Sequence, residues 1–94
     1  MYVVYGTFVK PSSVEGCLAL AEQALLGQGM AIVKGADGLD YLVIGGNDVV
    51  ALTIVGVPQP MGTWVVVSSA SPDPNVATQA RDLIRGIIEG TPVP

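Results

Sequence analysis

The stretch VVALTIVGVPQPMGTWVVVSS, residues 49–69, decides the fold of this chain. Its two ends are runs of β-branched and other apolar side chains, a composition that favours strands. Between them, Pro58, Pro60 and Gly62 supply the residues of a loop. The stretch has no charge, but its prolines and glycines divide it into pieces far shorter than the ~20 apolar residues of a membrane-spanning helix. We therefore predict two strands, at residues 49–57 and 63–69.

The sequence before this stretch predicts a strand, a helix and two short strands. Residues 2–9 are rich in Val, Tyr, Phe and Thr, which favours a strand. Ser12 and Glu15 have the spacing of a capping box, with Ser12 at the N-cap and Glu15 at N3. The apolar face of the helix consists of Val14, Cys17, Leu18, Ala21 and Leu25. Short apolar runs at residues 30–34 and 39–44 predict the two strands that follow the helix.

Asp73 and Pro74 mark the start of a second helix. Because a residue before proline avoids helical angles, Asp73 suits the N-cap and Pro74 the first helical position. The predicted buried stripe consists of Val76, Ala80, Leu83, Ile84 and Ile87. Residues 1–94 are then a single α+β domain with element order β-α-β-β-β-β-α. The economical arrangement is a mostly antiparallel five-stranded sheet with both helices packed on one face.

Two resemblances concern parts of this arrangement. A long terminal helix that lies across a curved antiparallel sheet is similar, in element order, to a reduced helix-grip arrangement. The opening of the chain has a Val-rich strand, then Lys10-Pro11, then a helix that contains Val14-Glu15 and the LALA of residues 18–21. This opening resembles that of dimeric α+β-barrel proteins of the monooxygenase-like kind. The resemblance ends at Gly29, because that family has a helix before its last strand, and it implies no function.

The composition argues against several classes of function. The net charge is −4 and only four residues are Lys or Arg, so neither nucleic acid nor an anionic membrane is an expected partner. The chain has no histidine, which removes the commonest general base and the commonest metal ligand. It carries no nucleotide-binding fingerprint. We therefore expect no catalytic residues, no cofactor and no metal, and we do not favour an enzyme.

Two kinds of candidate reactive residue have simpler structural interpretations. Cys17 lies on the apolar face of the first helix, where no histidine can activate it, so it is predicted to pack in the core. Asp37, Asp40 and Asp48 do not have the spacing of a calcium-binding loop and are predicted to be turn residues. The N-terminus lacks the basic segment of a signal peptide, so we expect a cytoplasmic location.

The first hypothesis on function is a non-enzymatic interaction domain that acts as a homo-oligomer, most simply a dimer, with another protein as an alternative partner. Only 13% of the residues are charged, and the strands carry apolar side chains on both faces. Because two helices cover only one face of a sheet, the other face would need a partner. The candidate interface residues are Val50, Leu52, Ile54, Val65 and Val67.

The second hypothesis is a binding protein for a small apolar ligand, held between the sheet and the C-terminal helix. The aromatic side chains all fall in predicted strands, where they could line such a pocket. Threonine and tyrosine hydroxyls would supply its polar anchors. The candidate pocket residues are Tyr5, Thr7, Thr53 and Trp64.

Overall fold

The computed structural model describes residues 1–37 and 40–93 and contains five strands and two helices. In chain order these are β1 (Tyr2–Lys10), α1 (Val14–Gly27), β2 (Ala31–Lys34), β3 (Leu42–Gly46), β4 (Ala51–Gln59), β5 (Gly62–Ser71) and α2 (Pro74–Gly90). The predicted α+β fold and element order are confirmed. The strand predicted at residues 39–44 begins only at Leu42, because the described Asp40 and Tyr41 are not in a strand; Leu39 lies outside the described residues. Within the described residues, neither helix is long and apolar enough to cross a lipid bilayer.

The sheet is antiparallel throughout, and its strand order is β1-β5-β4-β3-β2. Strands β2 to β5 form a meander, in which each strand pairs with the next one along the chain. Strand β1 is added at the far side, where it pairs with β5 along its whole length, from Tyr2 opposite Ser71 to Lys10 opposite Thr63. Strands β1 and β2 are therefore the two edges of the sheet.

The core lies between one face of the sheet and the two helices. Strands β4 and β5 contribute fully buried side chains at alternate positions, because successive residues of a strand point to opposite faces. The largest fully buried side chains include Leu18 and Leu25 of α1, Leu52 and Ile54 of β4, Val65 and Val67 of β5, and Ile84 and Ile88 of α2. The accessible surface is 5073 Å², close to the ~5,100 Å² expected for a compact chain of this mass. The single chain thus reaches ordinary compactness on its own.

Helix α1 begins one residue later than the capping box predicts. Its N-cap is Ser13, whose hydroxyl accepts a hydrogen bond from the backbone N–H of Gly16 at 3.1 Å. The prediction of Ser12 as N-cap and Glu15 at N3 is therefore wrong. The carbonyl of Ser12 instead accepts a hydrogen bond from the hydroxyl of Thr63 at 2.7 Å, which ties the start of α1 to β5.

Helix α2 begins as predicted, but its buried stripe is different. The Asp73 carboxylate accepts a hydrogen bond from the backbone N–H of Asn75 at 2.8 Å, and Pro74 is the first helical residue. The buried positions are Ala77, Ile84 and Ile88. Leu83 is 46% exposed, so its prediction as a core residue is wrong. Helix α2 therefore packs into the core through Ala77, Ile84 and Ile88, and Leu83 lies outside this buried set.

Candidate functional site

One face of the sheet is not covered by either helix, and we call it the open face. Alternate residues of β1, β5, β4 and β3 point to this side, and the strand register aligns them in four rows that run across the strands. The first row is Val9, Trp64 and Val57; the second is Thr7, Val66, Val55 and Leu42; the third is Tyr5, Ser68, Thr53 and Ile44; the fourth is Val3, Ala70, Ala51 and Gly46.

The open face exposes large apolar side chains. Val3, Tyr5 and Val9 are each about two-thirds exposed, and Trp64 is 42% exposed. None of the residues in the four rows carries a charge. Strands about 4.8 Å apart and about 30 Å long give the face an area on the order of 500 Å². The largest patch on a typical monomer is about 300–600 Å² and is often functional, so this face is a candidate interaction site.

The third row is polar at its centre. It places Tyr5, Ser68 and Thr53, each of which carries a hydroxyl, in register on three neighbouring strands. None of the hydrogen bonds between described residues involves these three hydroxyls. They are therefore left to bond with water or with a partner.

The edge formed by β1 is covered by arginine side chains of α2. Arg81 donates a hydrogen bond from Nη1 to the carbonyl of Tyr5 at 3.2 Å, and Arg85 donates from Nη2 to the carbonyl of Thr7 at 2.9 Å. Both side chains pass over Gly6, where a Cβ atom would lie 3.1 Å from Cδ of Arg85 and 3.4 Å from Cδ of Arg81. The bare backbone at Gly6 thus gives the arginines room to reach the edge. Carbonyls that are already bonded cannot pair with a strand from another molecule.

The opposite edge, β2, is short and irregular. It has four residues, and its pairing with β3 shifts between Ile32 and Lys34. Lys34 pairs with Ile44 at the end of the third row, and its ammonium lies 2.9 Å from Asp40 and 3.5 Å from Asp37. The hydrogen bond to Asp40 is the main cause that raises the pKa of Lys34 above its usual value, and the charge of Asp37 adds to it. A short edge strand with a lysine and a register shift is a poor template for strand addition.

The structure places the candidate interface residues in the core, not on the open face. Val50, Leu52, Ile54, Val65 and Val67 are all buried against the helices. The most exposed of the five, Val50, is only 5% exposed, so these side chains offer a partner almost no surface. Because side chains alternate along a strand, the open face presents their sequence neighbours instead, among them Thr53, Val55 and Val66.

The candidate pocket residues do come together, but on the opposite side of the sheet from the predicted pocket. Tyr5, Thr7, Thr53 and Trp64 all lie in the first three rows of the open face, away from α2. The space between the sheet and α2 is filled by fully buried side chains, which include Val65, Val67 and Ile84. The four residues therefore do not line a pocket beneath the C-terminal helix.

A small cavity lies between α1 and the segment that joins β2 to β3. It has a volume of about 270 Å³, slightly below the usual range for ligand pockets. Its apolar lining comes from Val14, Leu18, Ala19 and Tyr41, and its lining also includes Glu15 and Glu22. Tyr41 has a positive φ of 56°, which is uncommon for a residue with a side chain.

A second cavity lies at the end of the open face, beyond the fourth row. Its volume is about 230 Å³. The lining consists of Met1, Asn47, Asp48, Val49, Val50, Ala51, Ala70 and Pro72. Ala51 and Ala70 belong to the fourth row, so this cavity continues the open face past its small side chains.

The residues considered for reactivity have structural roles in the part of the chain that is described. Cys17 is 1% exposed and lies in the core, as predicted. Asp37 and Asp40 pair with Lys34. Residues 1–37 and 40–93 contain no group of three or more His, Cys, Asp or Glu side chains that could hold a metal ion.

No protein-family model matches the chain, and no curated protein matches it. Two crystal structures resemble it in fold. One is Ara h 8.0201, with a TM-score of 0.56, 12% sequence identity and coverage of 95% of both chains. The other is TTHA0849 from Thermus thermophilus, with a TM-score of 0.51, 15% identity and coverage of 95% of this chain and 88% of that one. At such low identity these likenesses show the fold alone.

Proposed function

We propose that this protein acts as a homodimeric interaction domain, in which the open face of one copy binds the open face of a second. The observation that carries the proposal is the contrast between the edges and the face of the sheet. Both edges are obstructed, β1 by Arg81 and Arg85 and β2 by its shortness and Lys34. The four rows between them carry no charge, and they expose the side chains of Val3, Tyr5, Val9 and Trp64. Association through the face is therefore favoured over association through an edge.

A second copy suits this face better than a partner of different chemistry. The four rows have no charge that would select an oppositely charged surface, whereas a second copy brings the same apolar chemistry and the same area. The area of about 500 Å² per copy falls below the roughly 600–1,000 Å² per partner of stable interfaces and lies in the range of weak or transient ones. We therefore expect a dimer that forms in the micromolar range.

The test is the mass of the protein in solution, measured by light scattering and by sedimentation at micromolar concentration. Val66→Glu places a charge in the middle of the open face and should give a folded monomer. Leu26→Glu is the matched control, because Leu26 is 59% exposed on α1, away from the face, and its variant should remain a dimer. A wild-type monomer that does not aggregate would refute the proposal. A Val66→Glu variant that stays dimeric would also refute it.

The cavity beside α1 supports a second candidate function, the binding of a small apolar ligand. Its volume of about 270 Å³ and its apolar walls would suit a molecule of a few carbon atoms. Saturable binding of an apolar fluorescent dye is the measurement. Ala19→Trp should fill the cavity and abolish binding, and Val66→Glu should not affect it. If only Val66→Glu abolishes binding, the dye binds the open face and this second function is excluded.

A further inference from the structure

We infer that Trp64 of each copy inserts into the cavity at the far end of the partner's open face, with the two-fold axis of the dimer along the third row. This inference rests on the proposed dimer and adds its geometry. Two sheets stacked face to face can be related by a two-fold axis that lies between them. When the strands of the two sheets stay roughly aligned, as in the common face-to-face packing, the axis runs either along the strands or along the rows.

The two axes bring different rows together. An axis along the strands sets each row against the same row of the partner. An axis along the third row leaves that row facing itself and sets the second row against the fourth. It also places the first row of one copy, which includes Trp64, beyond the fourth row of the partner. There Trp64 faces the partner's cavity, which is lined by Ala70 and Pro72. Trp64, Ala70 and Pro72 lie in or just after β5, so Trp64 meets this cavity without any sideways shift.

The cavity has the chemistry that a tryptophan needs. It has a volume of about 230 Å³, and its apolar walls include Val49, Ala51 and Ala70. Asp48 also lines it, and a carboxylate is an acceptor of the kind that a buried indole N–H requires. A large aromatic side chain that fills a pocket on the partner is the usual anchor of an interface. Trp64 is 42% exposed in the single chain, so it is available for that contact.

The sizes of the side chains favour the same axis. The second row carries the larger Val66, Val55 and Leu42, and the fourth row carries the smaller Ala70, Ala51 and Gly46 on the same strands. When the second row faces the fourth, large side chains fit against small ones, which is how packed sheets interdigitate. An axis along the strands would instead set the large side chains of the two second rows against each other. It would leave a gap between the small side chains of the two fourth rows.

The hydroxyls of the third row also favour this axis. A hydroxyl both donates and accepts, so two identical hydroxyls that face each other can form a hydrogen bond. With the axis along the third row, Ser68 faces Ser68 and Thr53 faces Thr53. With the axis along the central strand β4, Ser68 would face Ile44 of the partner, and its hydroxyl would be buried without a bond. At the end of the row, the same axis sets Lys34 opposite Lys34 of the partner, and each ammonium keeps its own Asp40 carboxylate 2.9 Å away as a counter-charge.

Cross-linking between copies distinguishes the two axes. In a Cys17→Ala background, Val55→Cys and Ala51→Cys variants are mixed and treated with a thiol reagent that spans the ~10 Å between packed sheets. The axis along the third row places position 55 opposite position 51, so the mixture should cross-link. Val55→Cys alone should not, because its two copies would be offset by about 14 Å along the strands. Cross-linking of Val55→Cys alone, without cross-linking of the mixture, overturns the inference.

Substitution of the anchor gives an independent readout. Trp64→Ala should weaken the dimer at least about 30-fold, and the Trp64 fluorescence of the native protein should shift to shorter wavelength as the dimer forms. Val9→Ala, in the same row but over β1, is the matched control and should weaken the dimer much less. Equal effects of Trp64→Ala and Val9→Ala would contradict the anchor. A wild-type monomer would instead refute the proposed function, so the two failures are distinct.

Discussion

Ile84→Ala should cost this domain a large part of its stability, while Leu83→Ala, one residue earlier, should cost little. Ile84 is fully buried between α2 and the sheet, and Leu83 is 46% exposed. The removal of three buried carbon atoms accounts for about 2.5 kcal/mol, and the cavity left behind raises the loss to about 3–4 kcal/mol. Leu83→Ala leaves no cavity and should cost no more than about 1 kcal/mol.

Urea unfolding followed by far-UV circular dichroism measures both losses. The protein concentration must be the same for all variants, because dimerisation links stability to concentration. A domain of this length has a total stability of about 5–14 kcal/mol, so Ile84→Ala should also lower the melting temperature by about 12–25 °C. Equal losses for the two variants would refute the assignment of the buried stripe. A loss below about 1 kcal/mol for Ile84→Ala would refute it as well.

Three other predictions concern the edges, a helix cap and the pH dependence. Replacing Arg81 and Arg85 together by Gln should uncover the β1 edge and give assemblies larger than a dimer in light scattering; an unchanged mass would show that the edge needs no cover. Asp73→Ala removes the N-cap of α2 and should cost about 1 kcal/mol in urea unfolding, and no measurable loss would contradict that role. The raised pKa of Lys34 means that its pairing with Asp40 stabilises the fold fully below the unfolded value of 10.5 and that this contribution is lost as the pH rises through the higher folded value. The melting temperature should therefore fall less steeply above that pH in Asp40→Asn than in the wild type, and an identical fall in both would count against the pairing.

Local sequence patterns predicted the elements well, because strands, turns and caps depend on neighbouring residues. The cap at Asp73 illustrates this, as does the turn at Pro60, although the predicted loop residues Pro58 and Gly62 belong to β4 and β5. The Ser12 capping box failed because Ser13 offers the same hydroxyl one residue later and caps the helix through Gly16, although the spacing to Glu15 points to Ser12. The prediction of Leu83 as a core residue failed because an apolar residue at the margin of a helical stripe can be either buried or exposed.

The face of the sheet that the helices cover was much harder to predict. Strand β4 has apolar residues on both faces, Leu52 and Ile54 on one and Ala51 and Val55 on the other. Hydrophobic alternation therefore gives no preference between the two faces, and the predicted interface residues lie on the core side. One signal was available. Thr53 lies on the open side, and a row of hydroxyls is better placed towards water or a partner than beneath two helices.

The strand order depends on contacts between distant parts of the chain. No local pattern indicates that β1 lies beside β5, or that Arg81 and Arg85 reach across Gly6. In the sequence, this contact is indicated by the glycine at position 6. A glycine inside a strand often marks the close approach of another group. Without the topology, however, the approaching group cannot be named.

The position of β1 at an edge next to β5 has a consequence for synthesis of the chain on the ribosome. Strand β1 emerges before the other described strands, but its neighbour among them, β5, and the arginines that cover it emerge after most of the domain has been made. The meander of β2 to β5 can form by successive hairpins, whereas β1 must wait, apolar and unpaired, for a distant segment. During synthesis, the chain is then most prone to aggregate through β1, the strand whose edge Arg81 and Arg85 cover in the folded domain.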